Sequence, residues 1–291
     1  MLEGNGRRIR RKLMAWYEPY GRHELPWRLT RDPYAILVSE VMLQQTQVER
    51  VLPYWAAWLE RWPAFQDLAA ASPADVITAW AGLGYNRRAI ALRRAATAVV
   101  QVGRMPKSVD SLCLLPGIGQ YTASAVACFA FGARVPVVDT NIARVLARAV
   151  LGVEGAKAAG PRAIEKAALL LLPARLARAH NLALMDLGAT VCTARAPRCT
   201  ECPLQRECAW LRDGSPRVVQ RTEAQSRSFE STSRFARGRI VDVLRTVPSA
   251  TLFELTAVLP ELHRPGTAQY LEALRRDGLV EFNGYAWRLP S

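Results

Sequence analysis

Acidic residues are in short supply, cysteine is sparse, and no apolar run is both long and free of charge. Lys and Arg number 39 against 25 Asp and Glu, and there are six cysteines in 291 residues. Without a long charge-free apolar run, no segment is expected to span a bilayer. The basic start (Arg7, Arg8, Arg10, Arg11, Lys12) has no apolar h-region after it, which argues against a secretory signal and for the cytoplasm. Strand-rich sequence is missing before residue 277, which leaves an α-rich chain. Half the residues are hydrophobic, so the chain is globular, and 291 residues allow one large domain or two to three smaller ones.

The excess of basic residues gives a net charge of +14. Such a balance usually belongs to a protein with a polyanionic partner, DNA or RNA by default; a basic solvated surface is the other reading. Four cysteines are gathered as Cys192-x6-Cys199-x2-Cys202-x5-Cys208. Four thiolates within one short loop suit a metal centre. The spacing is not that of a zinc ribbon, whose C-x-x-C pairs are further apart. Two disulfides, or unrelated buried cysteines, are the competing readings, and a reducing cytoplasm disfavours the disulfides. Cys113 and Cys128 stand in apolar helical stretches and are expected in the core.

Short helices follow one another along most of the chain. Asp32-Pro33 and Ser72-Pro73 carry helix-start chemistry, an N-cap followed by proline. Helical periodicity runs through Tyr34–Arg50, Val76–Trp80, Ala89–Val102, Ser108–Leu115, Tyr121–Phe131, Asn141–Val150, Ala163–Leu172 and Ala174–Leu187. Arg144 and Arg148 share one helix face. Residues 213–233 are polar and read as a linker between a 1–212 region and a small 234–291 unit. That unit shows three helices, Arg234–Thr246, Leu252–Val258 and Thr267–Asp277. Strands Leu279–Phe282 and Tyr285–Leu289 follow around Asn283-Gly284, a winged-helix-like pattern. Arg275 and Arg276 could meet DNA, or the unit could be a packing module.

Leu115-Pro116-Gly117-Ile118-Gly119 joins two helices. Its glycines admit positive φ and uncover backbone N–H groups, which can cradle a phosphate; a plain helix–helix turn looks similar. Asp139 comes twenty residues after Gly119, behind an apolar pair, and can cap the next helix.

A helix-hairpin-helix, an aspartate and a cysteine quartet in this order resemble the helix-hairpin-helix DNA glycosylase superfamily. The segments Leu25-Pro26-Trp27-Arg28, Ser39 to Val48, Gly82-Leu83-Gly84-Tyr85 and Met185-Asp186-Leu187-Gly188 resemble MutY-type adenine DNA glycosylases in particular, over about residues 7 to 212. The resemblance implies an all-α glycosylase fold, a helical barrel domain plus a helical domain bearing a [4Fe–4S] loop on Cys192, Cys199, Cys202 and Cys208. The small α+β C-terminal unit follows. It implies a monomeric base-excision enzyme acting on mismatched or damaged double-stranded DNA at the nucleoid. Glu40 would protonate a flipped base and Asp139 would stabilise the cationic sugar. Tyr121 takes the place of a Schiff-base lysine, so no strand cleavage is expected. Tyr121 and Asn141 would line the catalytic pocket, with His23, Trp27, Leu43 and Leu182 around the base. Gln45, Thr46, Tyr85, Gly117 and Gly119 would contact DNA.

The chain departs from that pattern in places. No Nudix-like segment follows Cys208. Leu182 stands where a polar reader of adenine is usual, and leucine there is similar to thymine-mismatch glycosylases. His23 replaces an arginine, and Asn86 a second tyrosine. Adenine opposite guanine or 8-oxoguanine is the expected substrate, thymine or uracil opposite guanine the alternative. A non-catalytic Fe–S regulator of transcription is a third possibility, which the Glu40/Asp139 pair disfavours.

Overall fold

A computed structural model describes residues 2–212, 214 and 228–291, with side chains from Asn5 onward. Most of the stretch read as a linker, 213 and 215–227, lies outside the described residues. The chain forms two compact units. The described residues of the first fall within Met1–Ile36, Lys107–Cys113 and Gly119–Gln220, and those of the second within Leu37–Pro106, Leu114–Ile118 and Arg221–Ser291.

In the first unit the basic start is itself a helix, Leu2–Tyr20. Ile9, Leu13 and Tyr17 are buried along it, an i, i+4, i+8 stripe that the intervening arginines obscure in sequence. This helix packs against Pro161–Leu171 and Ala177–Asp186. Helix Thr140–Ala149 packs against the same two and against the short helix Ala209–Arg212. Helix Gln120–Phe129 is buried from Thr122 to its end, as its charge-free sequence predicts. Cys128 is in the core, but Cys113 is only half-buried, because its helix Val109–Cys113 ends there at the hairpin.

His180 sits in the middle of Ala177–Asp186 at 1% exposure, and among the described residues neither ring nitrogen has a hydrogen-bond partner. Burial, helped by the charge of Arg10, pushes its pKa down to about 4. A histidine neutral in the fold and basic when unfolded contributes its full stability above about pH 6.5. That stability is lost as the pH falls towards 4, by up to roughly 3 kcal/mol. Denaturant unfolding at a series of pH values should show this loss, and His180→Leu should flatten it.

In the second unit the expected helix Tyr34–Arg50 is two helices, Pro33–Met42 (which begins in the first unit) and Val48–Arg61. They are separated by a turn in which Gln45 has φ 59°. Helices Phe65–Ala70 and Pro73–Ala79 pack on or beside Arg87–Val102. Ser72 caps the second of these, accepting from the Asp75 N–H at 3.1 Å. The C-terminal helices Ser233–Leu244, Leu252–Ala257 and Thr267–Arg276 belong to the same core. Ile240, Val241, Leu244, Leu271 and Leu274 cluster with Ile77 and Ile90. The hairpin is shorter than expected, Glu281–Phe282 against Trp287–Arg288. Asn283 N–H donates to the Ala286 carbonyl at 3.1 Å, so the turn pivots on Gly284-Tyr285 rather than on Asn283-Gly284.

Asn86 gains a role here. Arg245, just past helix Ser233–Leu244, donates to the Asn86 Oδ1 at 3.1 Å and to the Ile77 carbonyl at 2.8 Å. The residue that replaces an expected tyrosine thus ties the C-terminal part to the turn at Tyr85.

Candidate active site and nucleic-acid interface

Asp139 is the N-cap of helix Thr140–Ala149, as its position predicts. Its Oδ1 accepts from the Ile142 N–H at 2.7 Å and its Oδ2 from the Asn141 side-chain amide at 3.0 Å. Burial raises its pKa; the bonds from Ile142 and Asn141 and the charge of Arg144 oppose this without cancelling it. Asn141 is held in turn: Arg144 donates to its Oδ1 at 2.9 Å. Gly188 lies against Asn141 so closely that a Cβ would stand 2.7 Å from the Asn141 Cβ. The glycine of Met185-Asp186-Leu187-Gly188 is therefore demanded by the residue that positions Asp139.

Arg144 continues the chain of contacts to the cysteine loop, reaching the Gly188 carbonyl at 2.6 Å and the Cys192 carbonyl at 2.7 Å. Arg148, one turn on, donates to the carbonyls of Thr193 at 2.7 Å and Ala194 at 3.1 Å. The shared face of Arg144 and Arg148 was legible in sequence; its partner, the backbone of the cysteine loop, was not. All four loop cysteines are free. Burial first, and the neighbouring cysteines among the further causes, push the Cys202 thiol up to about 12, and raise Cys199 and Cys208 too. Among the described residues no three metal-binding side chains converge on one point. A four-iron cluster does not require that, because each sulfur binds a different corner iron. Arg195, Arg198 and Arg206 around this loop are exposed, with Arg198 paired to Glu201 at 3.1 Å.

The base-pocket candidates of the first unit are placed as follows. Trp27 and Leu182 are each 6% exposed, on helices Pro26–Leu29 and Ala177–Asp186. Tyr121 is half-buried in the first turn of Gln120–Phe129. His23 is exposed, its ring 4.5 Å from that of Tyr17 and its Nε2 2.9 Å from the Tyr17 carbonyl. Beside Trp27 lies a feature that sequence reasoning missed. Arg28 makes a two-pronged pair with the fully buried Asp186 at 2.7 and 2.8 Å, and Arg22 joins at 2.7 Å. Two short motifs of opposite charge were the only signal for it.

In the second unit Glu40 is buried at 6% exposure near the end of Pro33–Met42. Leu43 and Thr46 are half-buried and Gln45 is exposed in the turn that follows. One guanidinium organises this turn. Arg88 Nη1 donates to the carbonyls of Val41, Met42 and Gln44 at 2.8, 3.0 and 2.6 Å. Its Nη2 donates to those of Leu83 and Gly84 at 2.9 and 3.0 Å, and to the Thr46 hydroxyl at 3.2 Å. This is why the helix breaks after Met42: its last carbonyls are taken by Arg88 instead of by a further turn. Gln45 and Tyr85, with φ of 59° and 47°, are non-glycine residues in left-handed conformations beside the same side chain. Such strain costs of order 1–3 kcal/mol each and persists only where neighbours enforce it. Burial lowers the Arg88 pKa to about 10, which still leaves it charged at neutral pH.

Arg88→Met should therefore cost about 3 kcal/mol, and Arg88→Lys somewhat less, since an ammonium keeps the charge but cannot fork between two turns. Hydrogen exchange should show residues 43–47 and 82–85 loosening together. Exchange that rises in one turn alone would contradict a shared anchor.

Gln45, Tyr85 and Gly117 come together on one cleft of about 420 Å³, with Arg87, Arg94 and Arg276 also on its wall. Gly117 has φ 75°, and a Cβ there would meet the Ala91 Cβ at 2.5 Å, so only glycine fits the hairpin. Gly119 differs from expectation. Its φ is −89°, an extended N-cap to Gln120–Phe129, and the space a Cβ would occupy is open. It leaves the helix start uncovered rather than supplying a left-handed turn.

Residues 38–173 match the HhH-GPD superfamily of base excision DNA repair proteins. Over 276 residues the chain is 47% identical to the adenine DNA glycosylase of Mycolicibacterium smegmatis, covering 93% of this chain and 92% of that protein. The chain belongs to the adenine DNA glycosylase family. The human family member is 43% identical over 212 residues, 69% of this chain and 39% of that protein. The mycobacterial match leaves too little unmatched to omit residues 234–291, so that stretch too has a counterpart in that relative. Among solved structures, a thermostable thymine-DNA glycosylase superposes with a TM-score of 0.66 at 29% identity, over 72% of this chain and 98% of that one. Endonuclease III, with a TM-score of 0.61 at 24% identity, shares the fold. The helical glycosylase architecture expected for this family is the one observed.

Proposed function

We propose that the protein is a monofunctional DNA glycosylase that hydrolyses the N-glycosidic bond of adenine opposite guanine or 8-oxoguanine in double-stranded DNA. The observation that carries this reading is Asp139. A carboxylate partly buried at a helix N-terminus, held by Ile142 and Asn141, keeps lone pairs for a cationic sugar. Glu40 protonates the leaving base, and Asp139 offsets the positive charge that builds on the sugar as the bond breaks. Tyr121 brings a phenol where a lyase needs an amine, so the strand is left intact. Gln45 wedges into the stack, while Thr46 and Tyr85 face the orphan purine. The hairpin backbone at Gly117 and Gly119 holds a phosphate.

Cys192, Cys199, Cys202 and Cys208 hold a [4Fe–4S] cluster, which cross-links the loop when bound. Arg144 and Arg148 tie the backbone of that loop to the helix that Asp139 caps. The protein works as a monomer on chromosomal DNA at the nucleoid. No described helix is long and apolar enough to cross a membrane.

Leu182 favours a second reading. It is buried and cannot offer a hydrogen bond to an adenine edge, and the lack of one such bond costs about 1–3 kcal/mol of discrimination. Thymine or uracil opposite guanine is then the substrate. Single-turnover base release from A:8-oxoG, A:G, T:G, U:G and A:T duplexes separates the two. Release from A:8-oxoG and A:G, with no strand break before alkali, is the expected result, and release from T:G or U:G alone would overturn it. Iron and sulfide analysis of the same protein should give four of each per chain.

A further inference from the structure

The second unit holds a cleft of about 630 Å³ whose charge the chemistry above does not use. Arg50 and Arg87 line it from one side of the sequence, and Arg234, Arg237, Arg239 and Arg245 from the other. Two aspartates line it as well, and both are engaged. Asp242 accepts from Arg245 at 2.5 Å, and Asp277 pairs with Arg237. Arg50, Arg87, Arg234 and Arg239 are exposed and form no ion pair among the described residues. Four uncompensated guanidinium groups around one cleft repel one another, and an anion relieves this.

Aromatic rings separate these cations. Arg234 donates to the Tyr85 hydroxyl and lies 4.7 Å over the Tyr85 ring and 5.9 Å over that of Phe229. Phe235 lines the cleft too. Guanidinium groups interleaved with rings suit a nucleic-acid strand, with its phosphates on the cations and its sugars and bases beside the rings. A free phosphate has no use for the rings. Tyr85 also lines the smaller cleft that carries Gln45 and Gly117, so the two surfaces meet at Tyr85.

We propose that this cleft binds the phosphodiester backbone of the strand carrying the orphan base. In this arrangement helix Ser233–Leu244 holds the undamaged strand. The proposal rests on the reading that Tyr85 lies beside the orphan base. Arg50, Arg87 and Arg239 take phosphates. Arg234 is a positioning residue that fixes the strained Tyr85 from the C-terminal side.

The test uses the full chain, binding to an A:8-oxoG duplex across a salt series. The proteins are wild type, an Arg87→Gln/Arg239→Gln double variant, and Arg104→Gln as an exposed charge removal outside the cleft. The cleft arginines are exposed, so the double variant keeps its fold. Its salt slope should be shallower by about 2, at roughly 0.9 for each phosphate no longer neutralised. Methylphosphonates placed one at a time beside the orphan base should weaken wild-type binding and leave the double variant unchanged. An unchanged slope, or coupling to phosphates of the adenine strand instead, would overturn the proposal. So would inorganic phosphate binding that disappears in the double variant while its DNA affinity stays that of wild type. Absence of base release by wild type on every duplex is a separate result. It would sink the glycosylase reading, whereas the slope and the coupling are read from binding alone. Arg234→Ala should lower the affinity for A:8-oxoG more than for a duplex with an abasic site in place of the orphan purine. Equal losses would remove its positioning role.

Discussion

Asp139→Asn should lower single-turnover base release by roughly 10³-fold, the scale of losing one preorganised charge at a developing ion, while the protein stays at least as stable. The two halves of this expectation have one cause. Burial raises the Asp139 pKa, so the fold disfavours its charged form relative to the unfolded chain. A carboxyl with a raised folded pKa costs stability above that pKa, because the unfolded chain gives up its proton more readily. Asparagine removes the cost. It also caps helices about as well as aspartate and can keep the bond from the Ile142 N–H. The wild-type pH–rate profile should lose activity on its acid side above the ordinary carboxylate range, as Asp139 takes up its proton. A variant that lost both activity and stability would show Asp139 to be a structural cap only. Glu40→Gln should likewise abolish release, through loss of the proton donor.

Asp186→Asn should be the most destabilising single change at a charged residue, at about 3–5 kcal/mol and a fall in Tm of roughly 10 °C. Burial pushes the Asp186 carboxyl up, but the Arg28 bonds and the charges of Arg28 and Arg22 outweigh it and hold the pKa below its usual value. Removing the charge leaves Arg28, itself buried, without its counter-ion. The pair contributes its stability above the ordinary carboxylate range and loses it as the pH falls through the lowered Asp186 pKa. Arg28→Met combined with Asp186→Leu should recover most of the loss, because an apolar pair of similar volume removes both desolvated charges. Failure of the double variant to exceed Asp186→Asn in denaturant midpoint would show that the pair does more than satisfy itself. It borders Trp27 on one side and Leu187-Gly188 on the other, so a change here also reaches Asn141.

The motif segments illustrate how much was legible. Leu25-Pro26-Trp27-Arg28 and Met185-Asp186-Leu187-Gly188 could be quoted from the sequence, and the family they suggest is the family to which the chain belongs. That Arg28 and Asp186 form one buried pair could not be read, since nothing in either segment names its partner. Gln45 was legible as part of a glycosylase-like segment, yet helical periodicity ran straight through it. The break there comes from Arg88, more than forty residues later in the chain. Of the two hairpin glycines that admit positive φ, only Gly117 adopts it; Gly119 is extended and serves as the uncovered start of its helix.

By itself the sequence determined the α-rich class, the helix starts at Asp32-Pro33, Ser72-Pro73 and Asp139, the metal-suited cysteine loop and the basic character. These are local or compositional properties: a cap needs its own helix, a charge sum needs no geometry, and the spacing of four cysteines is read along the chain. Only the tertiary structure decided what Arg88, Arg144 and Arg148 are for, why Gly188 must be glycine, and that the residues after 233 share a core with Ile77 and Ile90. An arginine reaches backbone carbonyls that carry no sequence signature, and a close approach involves two segments at once. Long-range partners of that kind exist only after the chain has folded.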